Sequence, residues 1–215
     1  MRVTIFVVVL TTALSLAACG QTVTQPKQSS PQTSQQHEKQ SAVDAEAKSA
    51  GFDQTLSLQG ISFHVTCLNV GSVNQLHIAT TGLKGDNKPM EQEILGTVTG
   101  AEVADLNIDA SPEIFVYVTS AGSGSYGSLV AYAVNKGRSL SEIYMPPLED
   151  DPQAAKGYMG HDEFTVVENS LERRFPVYRD KDTNSQPTGG TRQVQYKLKT
   201  GEAGWVLKPV RIDNF

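Results

Sequence analysis

The sequence predicts an all-β fold: a single antiparallel β-sandwich or barrel-like domain over residues 51–215. Three features predict it. Eleven short runs carry period-two or β-branched patterning, glycine, proline or Asn/Asp clusters separate most of them, and no long stripe has helical period. In order, the expected strands are Thr55–Leu58, Ile61–Leu68, Gln75–Thr80, Glu93–Val98, Glu113–Thr119, Ser128–Val134, Ser139–Tyr144, Phe164–Glu168, Leu171–Tyr178, Arg192–Leu198 and Trp205–Val210. Asp151–Lys156 is expected to make one helical turn. Short strands with regular turns suit a sandwich or closed sheet, where each strand buries one face. In Ile61–Leu68 the alternation places Ile61, Phe63, Val65 and Cys67 on one face, so Cys67 reads as a small buried hydrophobe.

What precedes the domain is of another kind. Met1 and Arg2 give a short positive region, followed by a nearly continuous apolar run from Val3 to Leu16. That run is too short for a spanning helix and has the length of a signal-peptide core. It ends in Leu16-Ala17-Ala18-Cys19, which resembles the lipobox of bacterial lipoproteins. The resemblance implies cleavage after residue 18 and acylation of Cys19, with Gly20 following as in lipoproteins sorted to the outer membrane. Residues 1–18 are therefore expected as a signal peptide. Residues 19–50 are expected as a lipid-anchored disordered tether, dense in Gln, Ser and Thr and devoid of aromatics. Lys27, Lys39 and Lys48 cancel Glu38, Asp44 and Glu46, and a random chain of this length reaches roughly 30 Å. The formal charge of −5 becomes −6 without residues 1–18 and falls on the domain. That acidity argues against nucleic acid and favours a cationic partner. With Cys19 lipidated, Cys67 has no disulfide partner within the chain.

The segment richest in chemical information is Thr119-Ser-Ala-Gly-Ser-Gly-Ser-Tyr-Gly-Ser128, between two strong strand runs. Gly122, Gly124 and Gly127 permit unusual backbone shapes and close approach to another surface, while Tyr126 supplies a rigid amphipathic contact. The three glycines match the letters of a dinucleotide fingerprint, but a strand rather than a helix follows, so the match lacks its structural context. Neither Ser123 nor Ser125 meets the nucleophile-elbow pattern. The stretch has the character of a protruding recognition loop.

Other clusters carry weaker signals. Asp105-Leu-Asn-Ile-Asp109-Ala-Ser-Pro-Glu113 looks like a calcium loop of the Asp-x-Asn-x-Asp type, yet Ala110 and Ile108 stand at positions usually held by small turn residues. An Asx-rich turn leading into the strand at Glu113 is expected there, with no metal and no cofactor. His161-Asp162-Glu163 reads as a hydrogen-bonded turn or a buried structural histidine, since adjacent residues of an extended chain face opposite ways. Arg173-Arg174 reads as a solvated strand face, and His64 and His77 lack metal-ligand spacing. No catalytic residue is assigned, and an envelope hydrolase is disfavoured because no nucleophile–base pair is visible.

Ser123-Gly-Ser-Tyr126 matches the Ser-Gly-x-Tyr motif of the periplasmic inhibitors of invertebrate-type (i-type) lysozyme, and Tyr132-Ala-Val-Asn-Lys136-Gly137 resembles the second motif of related lysozyme inhibitors. The likeness runs from about Val103 to Trp205, through Tyr144-Met-Pro-Pro147, Gly157-Tyr-Met-Gly-His-Asp162 and Arg174-Phe-Pro-Val-Tyr178. The resemblance implies an inhibitor, not an enzyme, whose loop enters the lysozyme cleft. Ser123 and Tyr126 would engage the catalytic carboxylates, Gly124 would permit the approach, Lys136 of the second motif would join in lysozyme binding, and Arg138 would add a salt contact at the cleft rim. Related inhibitors can pair as dimers, which extends the expectation of a homodimer to this chain. The expected location is the cell envelope, anchored in the outer membrane and facing the periplasm. The alternative is a structural or assembly lipoprotein that binds peptidoglycan or a protein without inhibiting an enzyme.

Overall fold

The computed structural model describes residues 51–215. The expected signal peptide at 1–18, the lipid-bearing Cys19 and the tether at 19–50 lie outside the described residues. Twelve strands form two sheets. The first is a meander of β1 (Phe52–Leu58), β2 (Ile61–Cys67), β3 (Val73–Thr81) and β4 (Met90–Leu95). The second holds β5 (Thr97–Ala104), β6 (Glu113–Thr119), β7 (Gly127–Asn135), β8 (Ser139–Tyr144), β9 (Glu163–Val167), β10 (Ser170–Pro176), β11 (Thr191–Thr200) and β12 (Trp205–Asn214), in the order β5-β6-β7-β8-β12-β11-β10-β9. A single helical turn, α1 (Pro152–Ala155), starts where Asp151 accepts the backbone N–H groups of Gln153 and Ala154.

The larger sheet curls until its outer strands meet. Glu102 on β5 accepts the Val166 N–H of β9 at 2.7 Å and also the Tyr117 hydroxyl of β6. Tyr117 stacks on Phe164 of β9, with ring centroids 5.7 Å apart. These contacts cover two strand edges that would otherwise offer unpaired backbone groups.

Two cores result, and β6 and β7 belong to both. Ile114, Val116 and Val118 point with Val130, Tyr132 and Val134 toward the meander, where they meet Ile61, Phe63, Val65, Leu76, Ile78 and Ile94. Phe115, Tyr117, Ala131 and Ala133 point the other way, against Ile143, Leu171, Phe175, Val194, Tyr196, Leu198 and Leu207 inside the curled sheet. A strand buried on both faces needs apolar residues at every position, which is why Ile114–Val118 is continuous. Strands of the outer layer alternate instead: β2 buries Ile61, Phe63, Val65 and Cys67 and leaves His64 exposed. Cys67 is buried and free, as its position in that alternation predicts.

Three details depart from the sequence pattern. The run Glu93–Val98 is not one strand; it breaks at Gly96, where the chain leaves the first sheet and enters the second. A Cβ at Gly96 would lie 2.2 Å from the Thr119 carbonyl oxygen, so only glycine fits this crossing. Residues 99–104 of β5 lack apolar alternation because the strand bulges between Val98 and Gly100. Finally, β8 and β12 pair in parallel through Ile143–Trp205 and Tyr144–Val206, while every other described pairing is antiparallel.

Candidate functional site: a braced hydroxyl loop

The chain between β6 and β7 folds as a compact loop closed at its base by Ser120 N–H to the Tyr126 carbonyl (2.9 Å) and within by Ser125 N–H to the Gly122 carbonyl (3.1 Å). Ala121, Gly122, Ser123 and Tyr126 are exposed. Ser125 takes a φ of 43°, a left-handed conformation uncommon for a residue with a side chain. Tyr126 is 48% exposed, and its ring folds back over Gly124. A Cβ on Gly124 would come within 2.4 Å of that ring, so Gly124 shapes the loop from within by leaving room for Tyr126.

A second segment, distant in sequence, holds this loop. His161 donates its backbone N–H to the carbonyls of Gly124 (2.8 Å) and Ser125 (3.2 Å). Gly160, with a φ of 91°, lies flat against Gly124, and a Cβ there would sit 2.0 Å from the Gly124 oxygen. Asn184 donates its side-chain amide to the Ser123 carbonyl, and the His161 imidazole lies 3.3 Å from the Asn184 amide oxygen. At the start of β7, Gly127 N–H donates to Asp162 at 2.7 Å. His161 and Asp162 do not close a turn of their own; they lead into β9 at Glu163, hydrogen-bonded to the loop, and they serve as its brace.

Beneath the brace lies a buried charge cluster. Asp162 has no exposed side-chain surface and pairs with Arg173 on β10 at 2.7 Å. It also accepts the Tyr158 hydroxyl at 2.6 Å, while Arg173 donates to the same hydroxyl at 2.7 Å. Burial, followed by the hydrogen bond to Asp162, drives the Tyr158 hydroxyl above the usual tyrosine range. Burial alone would weaken the Arg173 charge, but Asp162 more than offsets it and holds the guanidinium above its usual value. The Arg173 guanidinium also lies over Tyr158, Phe164 and Phe175, 5.0, 5.4 and 5.9 Å from the ring centroids. Arg173 thus departs from the solvated face expected of it: Leu171, Arg173 and Phe175 share the inward face of β10. Arg174 alone of the pair is exposed, where it pairs with Glu172.

Tyr126 meets Tyr158 edge-to-face at 5.6 Å, and Tyr158 meets Phe175 in the same manner at 4.8 Å. This aromatic chain links the loop's exposed ring to a residue that is 1% exposed. Such pairs contribute about 0.5–1.5 kcal/mol each beyond area burial. The loop is therefore preorganised: a polar, flexible composition is held in one shape by groups 35 to 61 positions away.

Lys136 and Arg138 are placed elsewhere. They occupy the turn after β7, where Lys136 (φ 51°) and Gly137 (φ 66°) are both left-handed and Arg138 N–H donates to Asn135 O at 3.0 Å. Lys84 N–H donates to the Gly137 carbonyl at 2.8 Å and fixes this turn against the β3–β4 connection. Nine residues of β7 separate the turn from the serine loop, about 30 Å at roughly 3.3 Å per residue. The structure brings Ser123, Gly124 and Tyr126 together and leaves Lys136 and Arg138 at the opposite end of the strand.

The acidic segment before β6 folds as an Asx-rich turn. Asp105 accepts the N–H groups of Asp109 and Ala110, Asn107 accepts from Asp109, and Asp109 accepts from Ser111. Ile108 (φ 59°) and Ala110 (φ 62°) take the left-handed conformations that glycine would adopt without cost. Glu113 accepts the Leu106 N–H, and burial, opposed by that bond and reinforced by Asp105 and Asp109, pushes its carboxyl up to about 8.

A comparison with curated proteins gave no match. A comparison with protein families matched residues 71–157 to the family described as periplasmic lysozyme inhibitor of I-type lysozyme. The matched stretch holds β3 to α1 and with them the serine loop and the Lys136–Gly137 turn, while Tyr158, Asp162, Arg173 and Asn184 lie beyond it. Over residues 71–157, and so over the stretch that carries the serine loop, the chain is similar to the periplasmic lysozyme inhibitors of I-type lysozyme.

Proposed function

We propose that this protein blocks i-type lysozyme by inserting the Ser123–Tyr126 loop into the active-site cleft, from a position anchored in the cell envelope by lipid at Cys19. The observation that carries this reading is the braced loop itself. Between Thr119 and Ser128 there is no acidic or basic side chain, only serine and threonine hydroxyls and the phenol of Tyr126. A glycosidase cleft presents two carboxyl groups, one serving as acid and the other as base, nucleophile or electrostatic stabiliser. Hydroxyls donating to ionised carboxylates form charge-assisted bonds about twice as strong as neutral ones. Asp162, the acidic group nearest the loop's base, is fully buried and neutralised by Arg173, so it does not repel those carboxylates.

Preorganisation supports the same reading. A loop already held in its bound shape gives up less entropy on association. The acidic domain also suits a cationic enzyme, for which complementary charge raises the rate of encounter. With the loop at its centre, a standard interface of about 800 Å² per partner reaches about 16 Å from it. Lys136 and Arg138, about 30 Å away along β7, then act only at or beyond the rim. Residues 19–50 serve as the tether that keeps the inhibitor beside the peptidoglycan that lysozyme attacks.

The test is direct. The purified protein is incubated with i-type, c-type and g-type lysozymes, and lysis of peptidoglycan cells is followed. Selective slowing of the i-type enzyme at micromolar protein or below is expected. Uninhibited lysis by all three enzymes would leave a structural, peptidoglycan-binding lipoprotein as the better account.

A further inference from the structure

At the opposite end of β6 from the loop, three carboxylates converge without a positive partner. One oxygen from each of Asp105, Asp109 and Glu113 lies within 4.8 Å of the other two. None of the three takes part in an ion pair among the described residues. Glu113 provides an independent pointer to a ligand. It is 1% exposed, its carboxyl faces the two aspartates, and its Oε1 has no hydrogen-bond partner among the described residues. A buried acceptor left unmatched costs about 1–3 kcal/mol, so a native fold that keeps one calls for a reason.

We propose that Asp105, Asp109 and Glu113 bind a calcium ion, with the Asn107 amide oxygen as a further ligand. The spacing suits this ion. Oxygens on one Ca²⁺ lie 2.3–2.6 Å from it, so opposite ligands are about 4.6–5.2 Å apart. Mg²⁺ demands a near-ideal octahedron and gives up its waters reluctantly, whereas Ca²⁺ accepts the irregular shell that a turn and a strand end provide. The turn's own hydrogen bonds leave capacity for the metal. Asp105 Oδ1, Asp109 Oδ1 and Asp109 Oδ2 each accept one bond, and a carboxylate oxygen can accept two. A calcium ion satisfies Glu113 Oε1, the oxygen of that carboxylate left without a donor while its partner oxygen accepts the Leu106 N–H. The site pins the start of β6, the strand shared by both cores, so its role is structural and separate from the hydroxyl loop.

Trp205, the single tryptophan of the chain, lines the same surface cleft as Asn107, Ile108 and Asp109, which gives an optical readout. The full chain is melted by circular dichroism in EDTA, in 10 mM MgCl₂ and in 10 mM CaCl₂. Calcium is expected to raise Tm by about 3 °C or more over EDTA, corresponding to affinity in the 10⁻⁴–10⁻³ M range of extracellular sites. Terbium luminescence excited through Trp205 is expected to rise on Tb³⁺ addition and to fall as Ca²⁺ displaces it. Asp109→Asn and Glu113→Gln keep acceptor oxygens and remove charge, and both are expected to lose the calcium-dependent rise and the luminescence. Glu113→Gln keeps the size of the side chain and an acceptor for the Leu106 N–H, and it is expected to melt within a few degrees of the parent in EDTA, which separates loss of the metal from loss of the fold. Equal Tm in EDTA and CaCl₂, an equal gain from MgCl₂, or an undiminished response in Asp109→Asn would each overturn the site. None of these measurements involves lysozyme, so their failure is distinct from failure of the inhibitor reading.

Discussion

The two ends of the β6–β7 hairpin treat charge in opposite ways. At the loop end, Asp162 and Arg173 are both buried and paired at 2.7 Å, and the surface above them offers only hydroxyls. At the other end, Asp105, Asp109 and Glu113 gather within 4.8 Å without a basic partner among the described residues. One end has neutralised its charge internally and projects a shape. The other holds an unbalanced charge and strained backbone at Ile108 and Ala110. A self-sufficient polar network makes a rigid platform for recognition, whereas an unsatisfied one marks a place where a ligand completes the structure.

The largest expected effect tests the platform. Asp162→Ala strands the Arg173 charge among Tyr158, Phe164 and Phe175 and releases the Gly127 N–H. Removing one partner of a buried pair costs about 3–5 kcal/mol, to be read from urea unfolding, and loss of inhibition should accompany it. A cost below about 1 kcal/mol would mean that the loop end does not depend on its internal pair.

Next in size is the proposed recognition surface. Tyr126→Ala should leave the melting temperature within a few degrees of the parent and weaken inhibition by about 30-fold or more, a central hot-spot loss of 2 kcal/mol. Adding Ser123→Ala should weaken it further, and undiminished inhibition by the double variant would move the binding surface away from the loop.

At the acidic end, Ala110→Gly relieves a left-handed residue and should stabilise the domain by about 1 kcal/mol, a rise of about 2–4 °C in Tm. The corresponding change at the loop end, Gly160→Ala, should destabilise instead, since its Cβ would strike the Gly124 carbonyl. If both changes had the same sign, backbone strain would not distinguish the two ends.

The smallest effect is at Arg138. It is exposed and about 30 Å along β7 from the loop, so Arg138→Ala should reduce inhibition less than about fivefold and mainly through the association rate. A loss as large as that of Tyr126→Ala would shift the centre of the interface toward the Lys136 turn.

Much of the fold was legible because β-patterning responds directly to burial. The alternation of Ile61, Phe63, Val65 and Cys67 and the unbroken run Ile114–Val118 report one buried face and two, respectively. The break at Gly96 and the parallel β8–β12 pair were not legible, because both depend on which sheet a strand joins and no local pattern encodes that choice. The serine loop stood out by composition. Its brace did not, since Asp162, Arg173 and Asn184 are brought to it only by the curling of the larger sheet. A signal was nevertheless present at Arg173. It falls between Leu171 and Phe175 on the apolar parity of its strand, so period two alone demands a buried arginine with an acidic partner.

The double membership of β6 and β7 has a consequence for how the molecule comes apart. Neither core can melt while the other persists, because the same backbone carries one wall of each. Unfolding should be a single cooperative event, with the slowest amide exchange in β6. Assembly is correspondingly non-local, since β5 at one edge waits for β9, some sixty residues later, before Glu102 can receive the Val166 amide. Chains of this kind fold slowly for their size and resist proteolysis well once folded. In the envelope location proposed above, a domain without a disulfide among its described residues would gain its durability from that shared hairpin.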